Sequence, residues 1–202
     1  MNYPLINQIR CEWPALQKCP CRDRTRFCYV SHKYQYLYFA APKCASTTLR
    51  AYLPDKVGTN ISSKFQDYFS FAVVRNPWDI AVTMYVTSTK KIPSFGKDAF
   101  GLKNTNISFG EFLDAAREHR NCHMEQLVKY IPADVDFIVR FENFAADIEQ
   151  VRKRIGYGVK NTNRENTCKH DAYQKYYTDD KLIQKVADMY PDDIKRFGYR
   201  YE

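Results

Sequence analysis

The chain has 202 residues, with 31 Lys and Arg against 23 Asp and Glu, a formal charge of +8. Hydrophobic residues make up 45% and aromatics 15%, which is enough apolar material for a packed core and excludes an intrinsically disordered chain. No stretch approaches 18 consecutive apolar residues, so no membrane-spanning helix is expected.

The length suits one domain, expected over residues 1–202, with 1–30 an irregular, Cys-rich N-terminal segment. That segment holds Cys11, Cys19, Cys21 and Cys28; Cys44, Cys122 and Cys168 are scattered. Intervals of seven, one and six residues fit no usual zinc pairing, so no metal is expected. The first residues show no unbroken apolar core after a basic start, so no signal peptide is read. The expectation is therefore the cytoplasm of a bacterium or viral host, with free thiols. In the alternative, a clipped luminal domain, the sequons at Asn60 and Asn106 would matter.

From residue 34 the pattern becomes regular. Tyr34–Ala40 is an aromatic and apolar strand, broken by Pro42, and Ser46–Leu53 reads as a short helix ended by Pro54. The grammar repeats: Phe69–Val74 is a nearly all-apolar strand of the kind found in buried parallel sheets. Pro77 suits the first position of a helix reaching about Lys90. A loop is expected over about 91–107. Ser108 and Glu111 form a capping-box signature for a helix to about His119. Another helix is expected from Met124 to Tyr130, a strand over Val135–Arg140, and a helix from Phe144 to Ile155 stopped by Gly156. After a polar loop over 157–177, Thr178 opens a last helix with Leu182, Ile183, Val186 and Met189 at helical spacing. Strands separated by helices indicate an α/β fold with a central, mainly parallel sheet flanked by helices.

In such a sheet ligands gather at the C-terminal ends of the strands. Two loops lie there. Ala41–Leu49 carries Lys43 and three consecutive hydroxyls, Ser46, Thr47 and Thr48. It lacks the G-x-x-x-x-G-K-[ST] order of a nucleotide-triphosphate loop, which makes a kinase or NTPase unattractive. On spacing alone, a hydroxyl-capped helix is the plainer reading. The second loop, Val74–Asp79, puts Arg75 at the strand end, where a guanidinium can fork onto phosphate. Thr83 follows about two turns into the helix, where a solvated or back-bonding hydroxyl is the bland alternative.

Taken in order, Lys33–Leu49, Phe71–Tyr85, Asp136–Phe144 and the tail from Tyr176 to Tyr199 resemble the PAPS-dependent sulfotransferases, most like the Golgi-type carbohydrate enzymes. The resemblance implies a three-layer, P-loop-like fold, PAPS (3′-phosphoadenosine 5′-phosphosulfate) as co-substrate without a metal, and an acceptor hydroxyl on a carbohydrate. It implies that Lys43 touches the 5′-phosphosulfate. Ser46, Thr47 and Thr48, with the loop amides of Cys44 and Ala45, would hold its oxygens, and Arg75 and Thr83 would bind the 3′-phosphate. Three residues depart from the family pattern: Ala45 where Gly is frequent, Ile80 where Arg is frequent, and Thr83 in place of Ser. His123, in a His and Gln stretch ending at Gln126, resembles an element of the carbohydrate enzymes and is the expected catalytic base. His170 and Glu125 are alternatives. Trp78 is expected to pack in the core rather than stack on adenine.

Two other acceptor classes stay open, a small-molecule hydroxyl and a lipid hydroxyl. A different class is a basic nucleic-acid- or glycan-binding module without catalysis, although no nucleic-acid partner is expected. The acceptor loops, roughly 91–107 and 157–175, carry no pattern that names the acceptor, and nothing indicates an oligomeric state.

Overall fold

The computed structural model describes residues 28–58, 65, 67–157 and 170–202. In chain order the elements are β1 (Cys28–Ser31), β2 (Tyr36–Phe39), α1 (Ser46–Tyr52), β3 (Val57–Gly58), β4 (Phe69–Val74) and α2 (Pro77–Val86). Then come α3 (Pro93–Phe100), α4 (Phe109–Glu118), β5 (Phe137–Arg140), α5 (Phe144–Ile155), α6 (Asp180–Met189) and α7 (Pro191–Phe197). The fold is mixed α/β, as expected. Its contacts form two units: described residues up to Arg75 together with 127–157 make the first, and 76–126 with 170–202 the second.

The first unit is built on a five-stranded sheet in the order β3-β1-β2-β4-β5. Strands β2, β4 and β5 are mutually parallel, with Tyr38 opposite Phe71 and Phe71 opposite Phe137. The apolar runs of β2 and β4 have no polar face to present to water and are covered on both sides, while β5, at the edge, is only partly buried. Every residue of β2 is fully buried, and so are Phe71 to Val74. One polar residue interrupts β4. The amide and hydroxyl of Ser70 both donate to Asp136 Oδ2, at 2.7 and 2.6 Å, and the Asp136 amide donates back to Ser70 Oγ at 3.0 Å. This clasp fixes the start of β5 against β4, and a one-residue slip would break it. β1 and β3 extend the other edge antiparallel. β1 corrects only the end of the expected irregular segment, because residues 28–30 are extended and paired with β2, while residues 1–27 lie outside the described residues. Val57–Gly58 was too short to read as a strand.

Helix α5 spans the expected residues and packs on β4 and β5. It buries Phe144, Ile148, Val151 and Ile155, one stripe at helical spacing. It stops at Gly156, whose φ of 67° only Gly adopts cheaply.

In the second unit α2 begins at Pro77 as expected and continues as a π-helical turn over Thr87–Lys91. The expected loop over 91–107 is corrected: it contains α3, which opens on Pro93 and buries Ala99 and Phe100. Gly96 lets α3 lie close to the π turn, since a Cβ there would stand 2.3 Å from the Ser88 carbonyl oxygen. α4 carries the full capping box between Ser108 and Glu111. That bonding holds the Glu111 carboxyl below its ordinary pKa.

The expected helix over 124–130 is corrected to a single 3₁₀ turn at Leu127–Lys129. Two side chains bond backbone amides just before that turn. Asn121 Oδ1 accepts from the His123 amide and Glu125 Oε1 from the Gln126 amide, each at 3.0 Å. The single C-terminal helix becomes two because Pro191 cannot continue α6 but suits the first position of α7.

Among the described residues no helix is long and apolar enough to cross a membrane, and no group of three or more His, Cys, Asp or Glu could hold a metal ion. Cys11, Cys19, Cys21 and Cys168 lie outside the described residues. Cys28 and Cys44 are buried thiols. The expectation of free thiols fails at Cys122, which is disulfide-bonded.

Candidate functional site

The expected site residues divide between the units. Lys43 to Thr48 and Arg75 belong to the first; Thr83, Glu125, His123 and His170 belong to the second.

In the first unit β2 runs fully buried to Phe39 and the chain turns out through Pro42. Lys43 and Ala45 both have left-handed backbones, with φ of 62° and 54°, while Cys44 between them does not. Each non-Gly residue in that region costs about 1–2 kcal/mol. Alternation of this kind turns successive amides toward one side of the chain, a concavity suited to anions. Cys44 is wholly buried and anchors the turn. Ala45 is the N-cap residue of α1, and no side chain caps that helix. Lys43, Ser46 and Thr47 are half-buried. Thr48, in contrast, is buried and lines a small cavity with Leu49, Tyr52, Phe144, Ile148 and Val151. Of the three hydroxyls, Ser46 and Thr47 stand at the partly open side of the loop.

Arg75 leaves the C-terminal end of β4 and is only 8% exposed. Its guanidinium donates from Nη1 to the Lys43 carbonyl at 3.3 Å and lies 4.1 Å from the centre of the Phe141 ring. The stacking follows from register: Val74 is opposite Arg140, so the residues after each strand end meet. A flat cation is thus held on an aromatic face and tied to the strained lysine.

In the second unit Asn76 caps α2, accepting from the Trp78 amide at 2.9 Å. Trp78 is core, as expected: it is 4% exposed and its indole N–H donates to the Ile183 carbonyl at 3.0 Å. The buried Tyr177 hydroxyl donates to the Trp78 carbonyl at 2.9 Å, and burial first of all pushes its pKa far up, so it stays neutral. Thr83 is buried, and its Oγ1 lies 3.0 Å from His170 Nε2. The same nitrogen is 3.3 Å from Asp79 Oδ1. Sequence reasoning missed this cluster, because an 87-residue separation leaves no local signal. His123 is half-buried, with its ring edge-on to Phe95 at 5.0 Å. Glu125 is buried and bonded to the next backbone amide, as a local structural carboxylate would be.

Residues 26–200 match the sulfotransferase family, and both loops lie inside the match. The chain belongs to that family. An uncharacterized protein from Archaeoglobus fulgidus is 32% identical over 114 residues, covering 55% of this chain and 87% of the relative. No solved structure matches. Membership of a sulfotransferase family makes the chain a transferase.

Proposed function

We propose that this sulfotransferase moves a sulfuryl group from PAPS to a hydroxyl, most fittingly on a carbohydrate. The observation that carries the reading is the Lys43–Cys44–Ala45 turn, strained at two non-Gly residues and braced by the Arg75 guanidinium. Strain of that kind persists where surrounding structure holds it for a task. A lysine, an uncapped helix start and two partly exposed hydroxyls make a fitting seat for the sulfated 5′-phosphate.

The chemistry balances simply. The acceptor oxygen attacks sulfur in line and its bond to sulfur forms. The bond between sulfur and the bridging phosphate oxygen breaks, and the donor leaves as adenosine 3′,5′-bisphosphate (PAP). Negative charge builds on that bridging oxygen, and the Lys43 ammonium neutralises it. The acceptor proton passes to a base, for which His123 is the candidate. Arg75 and Thr83 are assigned to the 3′-phosphate, Ser46, Thr47 and Thr48 to the 5′ end together with the Cys44 and Ala45 amides. Calorimetric titration with PAP tests the donor reading, and a labelled-PAPS screen over saccharide, small-molecule and lipid hydroxyls tests the acceptor. A chain that does not bind PAP sinks the reading.

The disulfide at Cys122 favours an oxidising lumen over the cytoplasm as the working compartment. Asn106 is exposed there for glycosylation. Mass mapping of the native chain without reductant decides: a reduced Cys122 and an unmodified Asn106 return the protein to the cytoplasm.

A further inference from the structure

The proposed base, His123, stands on a stretch with no regular structure of its own, and a buried amide two residues upstream holds it there. Asn121 is 5% exposed. Its Oδ1 accepts from the His123 amide at 3.0 Å. Its Nδ2 donates to the Ala99 carbonyl at 3.0 Å and to the His119 carbonyl at 3.2 Å. The side chain fits only this way round, since turning it over would aim its nitrogen at an N–H and its oxygen at two carbonyls. Three pieces of chain meet on this residue. Ala99 lies in the last turn of α3, where carbonyls have no partner inside the helix. His119 is the C-cap of α4. His123 follows in a turn that Asn121 opens, closed by the Met124 amide donating to the Asn121 carbonyl at 3.1 Å. Downstream, Gln126 exchanges two hydrogen bonds with Asp192 at the start of α7, at 3.1 and 2.8 Å, so the stretch is clamped at both ends.

Helix α3 also touches the imidazole. Phe95, one turn before Ala99, meets the His123 ring edge-on at 5.0 Å. Both the backbone and the ring of His123 are thus referred to one helix, which lies within the acceptor loop expected over 91–107. We propose that Asn121 is a positioning residue for His123, fixing the base through its backbone amide to the end of α3. This rests on the reading of His123 as the base. A base acts only within hydrogen-bond reach of the acceptor hydroxyl, and a misplacement of about 1 Å costs about a hundredfold in rate. A single side chain that bonds both the base's amide and the helix beside it keeps the two in step.

The test uses labelled PAPS with the saccharide that the acceptor screen returns. Turnover is counted per PAP-binding chain, titrated by calorimetry, so a loss of folded protein alone leaves it unchanged. Reductant is left out, since Cys122 beside the turn is disulfide-bonded. Asn121→Ala should lower kcat about ten- to a hundredfold, with the acceptor KM and the PAP affinity unchanged. Asn121→Ser, whose hydroxyl still accepts from the amide two residues on, should recover part of the loss. Should the alanine variant not fold, the serine variant is set against wild type in its place. In a His123→Ala background neither substitution should lower turnover further. Full turnover in His123→Ala removes the base reading, and this proposal with it. A defective His123→Ala beside an Asn121→Ala of wild-type kcat removes only this proposal. So does a loss that falls on KM or PAP affinity instead of kcat, a serine variant no better than a folded alanine variant, or an Asn121 effect that persists undiminished without His123.

Discussion

The two loops that follow β2 and β4 share a plan and differ in how they finish it. Each leaves a buried parallel strand and opens a helix. The second is relaxed: Asn76 caps α2, Pro77 sits at the first helical position, and Asp79 adds negative charge to the first turn. The first is strained, with Lys43 and Ala45 left-handed, no side-chain cap and no acidic residue in the first turn of α1. A loop that satisfies its own helix has little use for an external anion at its amides, and in the proposed reading offers side chains such as Arg75 instead. A loop that leaves its helix start uncapped and electropositive is suited to an anion that completes it. In this reading one loop holds the reacting end of the donor by its backbone, and the other uses side chains.

The largest expected effect asks whether either loop supplies the base. It should not. His123→Ala is expected to lower turnover about 10²–10⁴-fold with PAP affinity unchanged by calorimetry. Full turnover in a folded variant sends the search for a base elsewhere. A parallel loss of PAP affinity would place His123 in donor binding or in the packing against Phe95.

Next comes the brace between the loops' own residues. Lys43→Ala and Arg75→Ala should each weaken PAP by roughly ten- to a hundredfold, or about 1.5–3 kcal/mol, the range for charge-assisted bonds. Arg75→Lys should not rescue, because a lysine cannot both stack flat on Phe141 and reach the Lys43 carbonyl. Wild-type affinity in either alanine variant would remove the assignment.

A smaller pair of effects, of opposite sign, tests the strain itself. Asn76→Ala removes the cap of α2 and should cost about 1 kcal/mol in denaturant unfolding. Ala45→Gly relieves a left-handed residue, offset by the greater freedom of glycine in the unfolded chain, for a net gain of about 0.5 kcal/mol. If Ala45→Gly destabilises, the turn is not strained and the contrast between the loops fails.

Much of this was legible beforehand because it is local. Phe69–Val74 and Phe144–Ile155 were read at their structural bounds, since a continuous apolar run and a 3.6-residue stripe each carry their own period. The capping box at Ser108 was read from two residues, and the bonds are there. Over Met124 to Tyr130 a helix was expected where only a 3₁₀ turn forms at Leu127–Lys129. Strand β1 hid among cysteines because its pairing with β2 is a property of two segments. The loop residues were legible by resemblance, but neither the positive φ at Lys43 nor the His170 contact to Thr83 leaves a mark in sequence. The former reverses residue preference, and the latter joins distant segments.

The smallest effect concerns the buried sheet that leads into the first loop and is expected to help hold its strained turn. Cys28 on β1 lies opposite Phe39, the last residue of β2 before that loop. Burial pushes its thiol from the ordinary value of 9.0 up to about 12. In the unfolded chain the same thiol loses its proton near 9, whereas the folded chain keeps it, so above that pH the native state holds more protons. Stability then falls as pH rises. Below about pH 8 the residue contributes no slope. The buried Tyr36, Tyr38 and Tyr177 are raised as well, by burial first of all, and add the same sign once unfolded tyrosine ionises near 10. The window between pH 8 and 10 therefore precedes the tyrosines, and comparison with Cys28→Ala separates Cys28 from the other thiols. Urea unfolding of wild type and Cys28→Ala across that window should show the wild type losing stability relative to the variant. Iodoacetamide at pH 8 should leave Cys28 unmodified in the folded chain. Parallel pH profiles, or rapid alkylation under native conditions, would mean that water reaches the β1 and β2 pair, and that the turn at Lys43 is held by Arg75 rather than by the sheet below it.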